Sequence, residues 1–161
     1  MAVTDDIVAT YRGPRVVFAR ILRGERHEAR PLTYLIFALL IFYVAQWPAL
    51  ARAAHLQPEI PLTQRMFAAF LATLAALPVF YLLALLGRLA ARLAGRRIAG
   101  YEARVALFWA LLAVSPLVLL HGLVRGFLGP GLQAGLVGLA VFAVFACFWW
   151  AGLSAAARGR E

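Results

Sequence analysis

Four apolar runs constrain this chain more than any other feature. They cover residues 32–50, 66–86, 105–124 and 132–153. Each is close to the roughly 20 residues that a helix needs to cross a hydrocarbon core. With 64% of 161 residues hydrophobic and a mean hydropathy of +0.83, too few polar residues remain to cover a soluble core. The sequence therefore predicts an all-α fold, an integral membrane bundle of four transmembrane helices. An N-terminal amphipathic cytoplasmic segment (1–31) precedes the membrane domain (32–154), and a cytoplasmic tail (155–161) follows it.

Charge orients the bundle. All sixteen basic residues are arginine, and thirteen fall in residues 1–31, 87–104 and the tail. Arg52, Arg65 and Arg125 alone occupy the alternate connections. That asymmetry predicts both termini in the cytoplasm of a bacterial inner membrane. The net charge of +9 lies beside the spans rather than on a soluble basic domain, so membrane lipids, anionic ones above all, are the expected partners and nucleic acid is not. The N-terminus opens with acidic and polar residues instead of a cleavable apolar stretch, so the first span is expected to act as an uncleaved anchor.

Residues 4–30 read as two helical pieces. Thr4 suits an N-cap ahead of Asp5 and Asp6, and Gly13-Pro14 separates the pieces, with Pro14 at a first helical position. In the second piece Val17, Phe18, Ile21 and Leu22 share an arc of about 140°, opposite Arg20 and Arg23. Such a helix either lies in the headgroup region or packs on the bundle. Pro31 is expected to part it from the first span, which ends near Gln46-Trp47-Pro48.

Three further sets of residues stand out. Arg88, Arg92 and Arg96 recur at i, i+4, i+8, so the second span is expected to continue as a helix into the cytoplasm and stop at Gly95. Together with Arg12, Arg15, Arg20 and Arg97 they make a cationic face suited to lipid headgroups. Pro78 and Pro116 lie about 12 Å and 16 Å from the cytoplasmic side and each frees a carbonyl, at Leu74 and Leu112. Thr73 and Ser115 are the hydroxyls nearest to satisfy those carbonyls, and the two breaks at similar depth suggest a hinge or a polar pathway. Gly122 and Gly126, then Gly131, Gly135 and Gly138, have the spacing that lets helix backbones approach, within the bundle or against a second copy or another membrane protein.

Chemistry is sparse. Cys147 is the lone cysteine, His55 and Glu59 are too few to hold a metal, and no ionisable residue occupies the middle of a span. No phosphate-cradling loop or nucleophile elbow is present. Ser115 and His121, about 9 Å apart along a helix, make no catalytic pair. The reading is non-enzymatic and cofactor-free.

Three stretches resemble the Ypt-interacting-protein (Yip) family of small polytopic membrane proteins. They are GPRVVFARIL (13–22), LGRLAARLAG (86–95) and YEARVALFWALLAVSP (101–116). The resemblance implies a helical membrane fold and, for bacterial members, an inner-membrane location. Eukaryotic members usually carry five spans and act with small GTPases in vesicle traffic; this chain has room for four. The expected role is organisation of lipids or partner proteins through the basic cytoplasmic face. The alternative is a small transporter or channel with its pathway near the proline-bearing second and third spans.

Overall fold

The structure, a computed structural model, describes residues 3–24 and 26–158. These form six α-helices and no strand: α1 (Val3–Arg12), α2 (Pro14–Arg23), α3 (Ala29–Leu56), α4 (Leu62–Leu93), α5 (Gly100–Phe127) and α6 (Leu132–Arg158). The fold is all-α. Helices α3 to α6 are long and apolar enough to cross a membrane, the arrangement of a multi-pass membrane protein.

Helix α5 is the axis of the bundle and touches all five others. Its first half, from Glu102 to Ser115, is buried except at Arg104, which is half-buried. Helix α3 runs parallel to it. Tyr34 meets Trp109 edge-on at 5.0 Å near one end. Towards the other end Gly122 and Gly126 lie under Ala45 and Pro48. The backbones come so close that a Cβ on Gly122 would sit 1.9 Å from the Ala45 carbonyl oxygen. In lipid, where apolar surface gains nothing by leaving the solvent, such close van der Waals packing holds helices together. Helix α6 runs antiparallel to α5, with Gly138 beside His121 and Gly152 against Ala106. Helix α4 is peripheral. It meets α3 through Tyr43, whose hydroxyl donates to the Met66 carbonyl at 3.3 Å, and α5 through Tyr81 against Phe108.

The helices outrun their apolar runs. Pro31 falls in the first turn of α3 rather than before it, where a missing N–H costs nothing. The same helix passes through Pro48 and ends at Leu56, not at residue 50. Pro48 packs directly on Gly126 of α5, where a Cβ would lie 2.3 Å from it. Thr4 lies in the first turn of α1, not at a cap. Pro14 does open α2 behind Gly13.

Helix α4 stops where its glycine dictates. Gly95 has φ +76°, a left-handed conformation that glycine adopts without a Cβ penalty. The Arg96 N–H donates to the Ala91 carbonyl at 2.9 Å and the Gly95 N–H to that of Arg92 at 3.0 Å, the paired bonds of a Schellman terminus. At the far end of the bundle arginines do comparable work. Arg52 donates to the carbonyls of Gly126 and Phe127 at the end of α5. Arg65 donates to Gln57 and Ile60 just past α3. Of the three arginines that break the charge asymmetry, Arg52 thus satisfies backbone oxygens that a helix end leaves open, and Arg65 ties down carbonyls of the α3–α4 connection.

Candidate functional site

The N-terminal helices shape the arginine-rich end. The amphipathic face of α2 packs on the bundle: Val17, Phe18 and Ile21 are buried, and Phe18 fills the notch that Gly152 leaves beside Ala106. Helix α1 follows with Thr10, which is fully buried. The Trp109 indole N–H donates to the Thr10 hydroxyl at 3.2 Å, and that hydroxyl donates to the Asp6 carbonyl at 2.7 Å. Each buried polar group thereby finds a partner. Tyr11 stands edge-on to Phe148 at 5.1 Å, and burial raises its phenol pKa, keeping it neutral. Of the two sequence-based alternatives for this segment, packing on the bundle is the one observed. Val3, Val8 and Val16 remain exposed on its other side.

Three open grooves surround this end. One, of about 500 Å³, lies between α2, the Gly95–Arg97 turn and α6, and four of its lining residues are Arg15, Arg96, Arg97 and Arg158. A second, of about 1010 Å³, follows α2 past Arg20, Arg23 and Arg26. A third, of about 720 Å³, runs from Arg88 and Arg92 to the same turn. Arg15 and Arg158 are shared by the first and second, Arg96 and Arg97 by the first and third. The cationic surface is therefore continuous.

Ion pairing sorts the arginines. Arg20 pairs with Asp6 at 2.5 Å, Arg104 with Glu28, and Arg26 with the buried Glu102 at 3.2 Å. Glu102 also accepts the Ala99 N–H at 2.9 Å, fixing the start of α5. Arg88 donates to the Ile98 carbonyl at 3.3 Å. Arg96 lies 5.6 Å from the ring centre of Trp150, a cation–π contact. Among the described residues Arg12, Arg15, Arg23, Arg92 and Arg97 have no anionic partner, so their charge is open to an outside anion. Of the seven sequence-selected arginines, six line the grooves, and Arg12 stands apart at the end of α1. Sequence reasoning missed Arg158, Trp150 and Ser154 as groove residues, because only the return of α6 beside α2 brings them to Arg15 and Arg97.

The proline set does not converge. Pro78 and Pro116 are both exposed. The Thr73 hydroxyl donates to the Ala69 carbonyl at 2.8 Å, not to that of Leu74. Ser115 is buried at the end of the covered half of α5. The glycines divide. Gly122 and Gly126 face α3, and Gly138 faces His121. A Cβ on Gly131 would meet only the Gln133 side chain, and one on Gly135 would meet open space. Gly87 and Gly152, absent from the spacing argument, are tighter than Gly131, Gly135 and Gly138: a Cβ there would lie 2.7 Å from Trp149 and 2.8 Å from Phe18. Among the described residues no three His, Cys, Asp or Glu side chains are placed to hold a metal.

Comparison with known proteins adds no identity to this geometry, since no family model, curated protein or solved structure matches the chain.

Proposed function

We propose that the chain is a non-enzymatic, Yip-type protein of the bacterial inner membrane, with both termini in the cytoplasm, that gathers anionic lipids or membrane partners at its arginine face. The observation that carries this reading is the continuous, partly unpaired arginine surface around three grooves at one end of an apolar bundle. The positive-inside bias supports a location of that end at the cytoplasmic leaflet, where anionic headgroups concentrate. The Yip likeness rests on the three stretches quoted above. A transport pathway between α4 and α5 has less support, because Pro78 and Pro116 are exposed and the helices meet through apolar side chains such as Tyr81 and Phe108.

The test replaces Arg92, Arg96 and Arg97 by Gln and measures phosphatidylglycerol retained by the detergent-extracted protein. Each guanidinium near an anionic leaflet contributes about 1 kcal/mol, or about fivefold in affinity, so loss of all three should weaken retention by about 100-fold while helicity is unchanged. Equal retention by parent and variant would overturn the reading.

A further inference from the structure

The groove between α2, the Gly95–Arg97 turn and α6 carries more than a general attraction to anionic surfaces. Four guanidinium groups line it and no described carboxylate does. Arg15 and Arg97 lack an anionic partner among the described residues, Arg96 is held against Trp150, and Arg158 donates to the Ser154 carbonyl at 3.4 Å. The four belong to three separate elements, fixed by the Schellman turn at Gly95 and by Phe18 in the Gly152 notch. One phosphodiester carries a single charge, which leaves most of this cluster uncompensated. Two phosphodiesters on one headgroup match it better, and arginine binds phosphate oxygens through paired N–H groups.

The groove also opens onto an apolar track. Trp150 lines it and is exposed. Along the same side of α6 lie Cys147, Ala143, Leu139 and Leu136, all exposed and spaced three or four residues apart. This row, with the small Cys147 and Ala143 between the larger Trp150 and Leu139, runs from the groove towards the opposite end of the bundle, the direction an acyl chain takes from its headgroup.

We infer that this groove is a binding site for a dianionic phospholipid with two phosphodiesters, seated with its headgroup among Arg15, Arg97 and Arg158 and one acyl chain along α6. The inference rests on the anionic-lipid reading and names a ligand class and a place for it.

The test is native mass spectrometry of the full chain in detergent, with cardiolipin as the dianionic probe and phosphatidylglycerol as the monoanionic one. Cardiolipin should bind at least about fivefold more tightly. Arg15→Gln with Arg97→Gln should weaken cardiolipin by about 25-fold, at about fivefold per arginine, and abolish the preference. Arg15→Lys with Arg97→Lys should retain most of it, which guards against misfolding as the cause. Arg125→Gln, at the other end, should change nothing. Inorganic phosphate at millimolar concentration should not displace the lipid; full displacement would make the site one for soluble anions and overturn the inference. Equal retention of both lipids, insensitive to Arg15 and Arg97, would sink this site while leaving the general lipid reading intact. Retention of neither would sink both.

Discussion

The contact between α3 and α5 should fail on the addition of a single methyl group. A Cβ on Gly122 would lie 1.9 Å from the Ala45 carbonyl oxygen and 2.8 Å from its carbonyl carbon. Backbone atoms cannot rotate away as a side chain does. Gly122→Ala must therefore push α3 back by about 1.5 Å, to reach an ordinary contact distance of 3.4 Å. Even a gap of 0.5–1 Å forfeits about a quarter to a half of each dispersion contact it opens, and overpacking of this kind costs about 1–3 kcal/mol. Helix propensity favours alanine by up to about 1 kcal/mol, which offsets part of the loss. Gly135→Ala has the same propensity gain and nothing within 4 Å to meet, so it isolates the steric term. Unfolding of the two variants by steric trapping in bicelles should show Gly122→Ala destabilised by about 1–2 kcal/mol and Gly135→Ala unchanged or slightly stabilised. Equal stability of the two would refute the close approach of α3 and α5.

Two further substitutions probe the arginine-rich end. Thr10→Val leaves the Trp109 indole N–H without its acceptor and should cost about 1–3 kcal/mol, whereas Thr10→Ser should keep the bond; thermal unfolding with intrinsic fluorescence reads both. Gly95→Ala forces a side chain into φ +76° and should lower stability by about 1 kcal/mol, with faster amide exchange at Arg96, whose N–H bonds to Ala91.

Element existence was legible in the sequence, and burial was not. Run length located α3 to α6, and glycine and proline located the Gly13–Pro14 break and the end of α4. The buried side of each span was beyond reach for a physical reason: lipid tails are as apolar as a protein interior, so hydropathy carries no contrast between the two. Helices α4 and α5 have nearly equal hydropathy, 2.3 and 2.1, yet 6% of the most apolar stretch of α4 is buried and 56% of that of α5. The same loss of contrast hid which glycines pack. Gly122 and Gly135 look alike in sequence, and only the position of Ala45 separates them. In the N-terminal helices the amphipathic pattern survived because they are polar on one side, and it named Val17, Phe18 and Ile21 correctly as one face. The partner of that face, Gly152 on α6, lies more than a hundred residues away. The cationic site was half legible. Arginine clusters were visible as charge, but the ion pairs that remove Arg20 from it and the return of α6 that adds Arg158 are tertiary facts.

The most direct check on the account is the side of the membrane that the arginine grooves face. With Cys147 replaced by Ser, single cysteines at Ala94, beside the groove-lining turn, and at Gln57, in the α3–α4 connection, are both on exposed positions. A membrane-impermeant maleimide applied to intact spheroplasts should label position 57 and reach position 94 only after permeabilisation. Labelling of position 94 from outside would put the grooves on the wrong leaflet and contradict the proposed role.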